Sequence, residues 1–416
     1  MKVTVIGGGV VGLSCAYYLN EMGYAVTVID KEDFLNNCSY GNAGYICPSH
    51  FVPLSTPGIV QQGLKWMWDA RSPFYVQPRL DMNLIKWGLK FMEVAKVENV
   101  ERAAIPLRDI AILSKKMYEE WTLIPEFDFA YECKGLLEVF QTTAGEEKCV
   151  HLYDKAIELG LTDTSLLNYA QLQALEPHTK INAKGALFFK CDAHLYPNKL
   201  MQGLLAILKQ RGVVFVKNEA VLGFEKKGKT ITGIQTNQAD YATDAVVLAT
   251  GSWSRELAAK LNISLLLMPG RGYSVTLENS AYKLNHPAVL VEGRVALTPM
   301  DGNKIRFGGT MEITSTKTPP RMNRVEGLLQ AVKKFYPEFD VPMPTVDQIW
   351  YGFRPCSADG LPYLGRTAQW NNLVIATGHS MVGMSLGAGT GKLVSELIAE
   401  KPTSMDIRPF DPNRFN

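Results

Sequence analysis

Four residues near the start of the chain have the types and spacing for one chemistry. Gly7, Gly9 and Gly12 form a G-x-G-x-x-G triplet, and Asp30 follows 18 residues after Gly12. In such a set the first glycine permits a tight turn and the second lets backbone approach a pyrophosphate. The third lets a helix pack closely on a strand. Free N–H groups and the positive dipole end of that helix favour phosphate, and the acid accepts hydrogen bonds from ribose hydroxyls. The chemistry indicated is dinucleotide binding; the competing reading is a glycine-rich turn in an ordinary α/β unit. Just beyond the acid, Cys38-Ser-Tyr-Gly-Asn-Ala-Gly44 offers small residues for close approach, and Ser39 and Asn42 can bond phosphate or ring edges.

A strand–turn–helix–strand unit must hold these residues. Val3–Ile6 reads as a buried parallel strand, Val10–Met22 carries a helical pattern, and Ala25–Ile29 is a second apolar strand ending on Asp30. Later segments repeat this character. Pro197–Arg211 is a predicted helix and Val213–Val216 a strand, followed by a hairpin from Val221 around Lys226-Lys-Gly-Lys229. Ala245-Val-Val-Leu-Ala-Thr-Gly251 and Leu373–Thr377 are buried strands ending in glycine-containing turns. Gly391-Lys392 superficially suggests a phosphate loop, but Leu386 stands where its glycine belongs and Leu393 replaces the metal-binding Ser/Thr. The Gly383–Gly391 segment reads instead as a helix start packed against the nucleotide, within a small-residue helix of roughly Gly387–Glu400.

The remaining chain differs. Residues 50–95 are rich in proline and aromatics, and Leu64-Lys-Trp-Met-Trp68 and Leu84–Met92 set lysines beside indoles at helical spacing. One reading is a pair of helices burying those rings. The sharper one is an interfacial surface over residues 60–92, with peripheral membrane contact. Ile105–Trp121 has an ordinary amphipathic periodicity, residues 131–190 mix short strands with a polar helix (Ala144–Leu159), and residues 265–345 are strand-rich before a helix at Val325–Phe335.

Composition bounds the function. The 416 residues suffice for two cores or one domain with a large insertion. Lys and Arg number 43 against 41 Asp and Glu, which argues against a general nucleic-acid footprint. The N-terminus enters a strand at once, leaving no room for a cleavable signal, and no run approaches the ~20 apolar residues of a membrane span. Seven scattered cysteines without a C-x-x-C pair indicate neither a disulfide framework nor a zinc site, and no metal is expected. A cytoplasmic location is expected, with the inner face of the cell membrane as the site of any peripheral contact.

The fingerprint, Gly41-Asn-Ala-Gly44, Ala249-Thr-Gly251, Gly308-Gly-Thr-Met311, Gly352-Phe-Arg-Pro355, Asp359–Gly365 and Ala376-Thr-Gly-His379 occur in that order. Together they resemble the FAD-dependent D-amino-acid oxidase superfamily over essentially the whole chain. Within it, the Pro/Trp segment and Pro269-Gly-Arg-Gly-Tyr-Ser274 are similar to the small-subunit type of bacterial D-amino-acid dehydrogenases. The resemblance implies non-covalent FAD along Gly7, Gly9, Val10, Val11, Gly12, Asp30, Lys31, Ser39, Gly41, Asn42 and Ala43. It continues the site through Val221, Thr250, Gly251 and Trp253 to Gly378, His379, Ser380, Met381, Val382 and Gly383. It also implies that Arg354 matches an arginine holding the substrate carboxylate, a role suited to the bidentate guanidinium fork. The competing role for Arg354 is capping a strand or pairing with Asp359. Arg271 and Tyr273 are weaker candidates for the same pocket, and Met311 would line it. His379 would either tune the flavin or hold its loop. Where some relatives place a tyrosine, this chain has Ala296, and Cys356 is out of register with the covalent flavin tether of sarcosine oxidases.

The implied fold is α/β, a Rossmann-like FAD-binding domain with an inserted α+β substrate domain on a mostly antiparallel sheet. Residues 1–49, 190–264 and 350–416 would form the first; residues 50–189 and 265–349 would form the second. The implied reaction is oxidative deamination of a D-amino acid by hydride transfer from its α-carbon to flavin N5, giving a 2-oxo acid and ammonia. Electrons would pass to a quinone or other carrier. The alternatives are an oxygen-using, glycine-oxidase-like enzyme, a dehydrogenase of D-proline or hydroxy-D-proline, and a non-catalytic FAD scaffold. A tRNA-modifying flavoenzyme would need a basic face that the balanced charge does not suggest.

Overall fold

Six strands carry the fingerprint. Their spatial order is Tyr363–Arg366, Leu373–Thr377, Ala245–Leu248, Lys2–Ile6, Ala25–Ile29 and Val214–Val216. Neighbours pair in parallel except the edge strand Tyr363–Arg366, which runs antiparallel to Leu373–Thr377. Inner strands of such a sheet are covered on both faces and so are continuous apolar runs; Val5, Val28, Val247 and Val374 are fully buried. The computed structural model describes residues 1–67 and 69–415, with only the backbone of Leu64 and Lys65.

Helix Val10–Glu21 packs against this sheet, and helix Gly383–Ile398 packs against Val10–Glu21. The second helix begins at Gly383, the first residue of the expected start segment Gly383–Gly391 and ahead of the rougher Gly387 limit. Its small residues let it wedge between two other helices. A Cβ on Gly391 would meet the Ser14 backbone at 2.5 Å, and one on Gly389 would meet Ser114 of helix Val97–Trp121 at 3.0 Å. Gly391 and Lys392 therefore sit inside a helix, where no phosphate loop can form.

The second large sheet has nine strands. Along its main path these are Trp350–Ser357, Leu267–Leu277, Lys304–Ile313, Val295–Met300, Ala288–Leu290, Leu136–Phe140, Gly185–Phe189 and Thr164–Asn168, with Phe74–Val76 added beside Lys304–Ile313. Its pairings are antiparallel except Ala288–Leu290 with Leu136–Phe140 and Phe74–Val76 with Lys304–Ile313.

Two segments lie on the other side of the expected boundaries. Trp350–Ser357, grouped by sequence with the nucleotide part, pairs residue by residue with Leu267–Leu277 in the nine-stranded sheet. Helix Val97–Trp121, grouped with residues 50–189, instead buries Trp121 against Tyr17 and Tyr18 of the fingerprint helix. Its apolar face finds its cover there.

The aromatic segment forms helices Ile59–Trp66 and Met82–Val94. Asp81 caps the latter, accepting from the amides of Asn83 and Leu84. Trp87 turns inward, stacks on Phe91 and donates its indole N–H to the Cys356 carbonyl at 3.0 Å. Trp87 thus follows the buried-ring reading of this segment and not the interfacial one, whereas Met82, Ile85, Leu89 and Met92 form an exposed stripe on the same helix. Trp68 and the side chains of Leu64 and Lys65, part of that expectation, lie outside the described residues. No helix among the described residues is long and apolar enough to cross a membrane.

Candidate active site

A cavity of about 1480 Å³ runs between the two sheets. At one end stands the fingerprint. Gly7 adopts φ +109°, and a Cβ there would lie 2.5 Å from the Ala249 carbonyl oxygen. Gly12 would collide with the Gly7 oxygen at 1.8 Å, so it serves turn and packing and does not line the cavity. Gly9 opens on the cavity: a Cβ would meet only the Ser39 hydroxyl, at 3.5 Å. The Val10 amide donates to Ser39 Oγ at 2.9 Å, whereas the amides of Val11 and Gly12 have no protein acceptor among the described residues. A concave backbone with unpaired helix N–H groups is suited to a pyrophosphate. Asp30 accepts from the amides of Gly8 (2.6 Å) and Glu32 (2.9 Å) and also lines the cavity. Burial raises its pKa, against the lowering effect of those two amides.

The 37–44 loop is fixed from both sides. Asn37 Nδ2 donates to the Gly8 carbonyl at 3.0 Å. From the nine-stranded sheet, Arg306 Nη1 donates to the carbonyls of Tyr40 (2.8 Å) and Asn42 (2.7 Å), and Thr298 Oγ1 donates to that of Ala43 (2.8 Å). Arg306 is buried, its pKa pushed down to about 10 by desolvation. Sequence reasoning missed this strut; its one signal was a charge inside the apolar alternation Ile305-Arg-Phe307. Val221, Thr250, Gly251 and Trp253 complete this wall, with Lys31 Nζ 4.3 Å above the Trp253 ring.

Ser380, Met381, Val382 and Gly383 line the cavity ahead of helix Gly383–Ile398. Gly378 (φ +80°) does not; it packs on Tyr363 and turns the chain. His379 borders the cavity, but its Nε2 lies 3.0 Å from Thr390 Oγ1, and burial pushes its pKa down to about 4. Its geometry is that of a neutral residue holding the loop.

Arg354 is on the opposite floor. It extends from Trp350–Ser357 across the neighbouring strand at Gly272, where a Cβ would sit 2.2 Å from both terminal nitrogens. Nη1 donates to the Thr310 carbonyl (2.5 Å) and Nη2 to that of Gly309 (3.4 Å). Among the described residues it has no carboxylate partner. Asp359, the alternative partner considered from sequence, is paired with Arg414 at 2.8 Å. Burial lowers the Arg354 pKa, with Cys356 and Cys38 acting in the opposite direction.

A bulge sets what faces Arg354. Arg271 pairs with Glu312 and Tyr273 with Gly309, so Thr310 and Met311 together oppose Gly272. Thr310 adopts φ 62°, an outlier for a β-branched residue, and its hydroxyl is buried without a partner. Thr310 and Met311 both line the cavity; Thr310 lay inside the Gly308-Gly-Thr-Met311 run, where sequence assigned a role to Met311 alone.

The same alternation corrects two expectations. Arg271 and Tyr273 flank Gly272 and so point away from Arg354. Arg271 is fully buried, bonded through Nε and Nη2 to Glu312 (2.9 and 2.7 Å), and outside the cavity wall. Tyr273 borders the cavity, but its hydroxyl donates to Glu312 at 2.8 Å and accepts from the Arg321 amide at 2.8 Å. Its pKa is raised, mainly by burial. Neither polar group is free for a substrate carboxylate. Cys356 Sγ is likewise buried behind the wall, 3.9 Å from Met311 Sδ.

A Rossmann-like sheet, a glycine fingerprint with its acid, and a cavity closed by a second sheet define a dinucleotide-dependent enzyme fold. Residues 2–397 match the family of FAD dependent oxidoreductases (DAO), and the chain belongs to it. It is similar to the D-amino acid dehydrogenase of Helicobacter pylori strain J99, 31% identical over 398 residues spanning 95% of this chain and 94% of that protein. The D-amino acid dehydrogenase of Neisseria meningitidis serogroup C (strain ATCC 700532) is 29% identical, with each chain covered in full. Among solved structures, glycine oxidase from Geobacillus kaustophilus superposes with TM-score 0.76 at 22% identity, covering 100% of this chain and 98% of that one. L-Proline dehydrogenase from P. horikoshii gives 0.73 at 19%, covering 100% and 97%. At these identities the structures show the shared fold.

Proposed function

We propose that this FAD-dependent oxidoreductase oxidises D-amino acids to 2-oxo acids and ammonia, passing electrons to a quinone or other carrier. One observation carries the reading: Arg354 presents a guanidinium to the cavity with only carbonyl partners. A charge so placed attracts a carboxylate from the ligand. The relatives' names favour a D-amino acid as that ligand. Anaerobic reduction of the bound flavin by D- but not L-amino acids tests the assignment.

When bound, FAD supplies the two-electron acceptor for the substrate's α C–H bond. The first turn of helix Val10–Glu21 would hold its pyrophosphate, Asp30 its ribose, and the Ser39–Ala43 loop with Ser380–Gly383 its ring system. The Cys356 thiol behind the wall supports non-covalent attachment. Arg354 would grip the carboxylate through its fork, fixing the α-carbon's orientation, while Thr310 and Gly309 hold the guanidinium. Met311 adds an apolar wall. The nine-stranded sheet thereby acts as the substrate-binding body, and Trp350–Ser357 joins it in delivering Arg354.

The electron acceptor is assigned to a carrier on the strength of the Met82, Ile85, Leu89 and Met92 stripe with Lys86 beside it. A helix with an apolar stripe and basic flank suits a quinone-bearing membrane surface. Turnover with a soluble quinone exceeding turnover with oxygen supports this. Fast peroxide formation with no quinone reduction identifies an oxidase instead.

A further inference from the structure

The cavity floor holds a second guanidinium that this substrate assignment does not use. Arg294 closes the turn between Ala288–Leu290 and Val295–Met300, its amide donating to the Leu290 carbonyl at 2.8 Å. It adopts φ 53°, a region that favours glycine, yet carries a full-length side chain. That side chain lines the cavity, 5.7 Å from the centroid of the Trp66 ring. Among the described residues it makes no hydrogen bond and no ion pair. Strained backbone bearing a charge in a cavity with an aromatic face as its contact and no hydrogen-bond acceptor is the combination found where structure is retained for a ligand.

Its position relative to Arg354 is fixed by the sheet. Val295 pairs with Gly309, so Arg294 approaches the Gly309–Thr310 peptide from the side opposite Arg354. Glu138 joins the same floor. Glu138 pairs with Val289, Val289 with Ala296, and Ala296 with Gly308, and all four line the cavity. The small residues Ala296 and Gly308 leave open the path from Arg354 toward this acid and Arg294. Glu138 and Arg294 both face the cavity and, among the described residues, form no hydrogen bond or ion pair with each other.

We infer that Arg294 and Glu138 form a second recognition point, selecting D-amino acids whose side chain ends in a carboxamide. The carboxamide oxygen would accept from Arg294 and its NH2 would donate to Glu138. An arginine is donor-only and Glu138, once ionised at pH 8, acceptor-only, and a carboxamide presents one group of each kind without net charge. A side-chain carboxylate would satisfy Arg294 while opposing Glu138; an alkyl chain would leave both polar groups desolvated and unpaired.

This inference rests on the D-amino-acid reading, and the experiment separates the two. Steady-state kcat/KM is measured at pH 8, where Glu138 is ionised, on the FAD-loaded protein with D-glutamine, D-asparagine, D-glutamate and the alkyl analogue D-norvaline. The expected result is a preference of about tenfold or more for a carboxamide over D-norvaline, and for D-glutamine over D-glutamate. Arg294→Met and, separately, Glu138→Leu should collapse the carboxamide-to-alkyl ratio toward one. A wild-type ratio at or below one overturns the inference, as does preference for D-glutamate, or a loss in both variants that strikes carboxamide and alkyl substrates equally. Should either variant lose FAD, the wild-type ratios decide alone. If no D-amino acid of any kind reduces the flavin, the underlying D-amino-acid reading fails instead.

Discussion

The Arg354 guanidinium lies directly over Gly272, whose missing Cβ would be 2.2 Å from both terminal nitrogens. Only glycine leaves that space on the adjacent strand. Gly272→Ala should displace the guanidinium from the Thr310 carbonyl while leaving the distant fingerprint intact. The expected loss in kcat/KM is about a hundredfold, since small displacements of a positioning group are costly. Steady-state kinetics with FAD content measured in parallel checks it; unchanged kinetics would mean that Arg354 needs no such seat.

Arg306 ties the cofactor-side loop to the nine-stranded sheet through the carbonyls of Tyr40 and Asn42. Arg306→Met keeps most of the side-chain volume but removes both bonds. FAD affinity should fall by about tenfold or more, because charged hydrogen bonds to buried carbonyls are lost. Fluorescence titration of the apoprotein with FAD measures this directly.

His379 should not appear in the pH profile of catalysis. Burial holds its pKa near 4, so it is neutral throughout pH 5–9. His379→Gln should therefore lower FAD retention through the lost Thr390 contact without moving any inflection of kcat/KM in that range. A shifted inflection would return His379 to a role in tuning the flavin.

Glu138 gives a pH-dependent stability effect with a definite sign. Burial raises its carboxyl from 4.5 to about 7 in the folded protein. The cost of ionising it there is absent below about pH 4.5 and fully present above about pH 7. Glu138→Gln should therefore stabilise the apoprotein at pH 8 by about 2–3 kcal/mol and leave it unchanged at pH 4. Urea denaturation at the two pH values provides the comparison.

Much of the fold was legible because its signals are local. Ala25–Ile29 and Leu373–Thr377 are uninterrupted β-rich runs bounded by glycine or acid, and both strands match the expected limits. Helix Gly383–Ile398 was legible as a helix starting within Gly383–Gly391, but not to the residue, because glycine-rich turns carry little periodicity and packing on Ser14 and Ser114 decides the outcome. The site was legible unevenly. Arg271 and Arg354 look alike in sequence, each an arginine within two residues of a glycine on a strand. What separates them is the face each strand presents, and that depends on the two-for-one register at Thr310 and Met311. Such a bulge leaves no mark in a single sequence. Arg294 was hidden for the same reason: its importance comes from neighbours on four other strands.

The proposed role of Arg354 is to anchor the carboxylate of a D-amino acid beside FAD. Its most direct test is anaerobic mixing of the FAD-loaded protein with a panel of D- and L-amino acids, following the flavin absorbance. Bleaching is expected from D-enantiomers alone, together with an Arg354→Ala protein that stays yellow and FAD-loaded but needs about a hundredfold more substrate to bleach. Equal bleaching by L-enantiomers, no bleaching by any amino acid, or loss of FAD in the Arg354→Ala protein would contradict it.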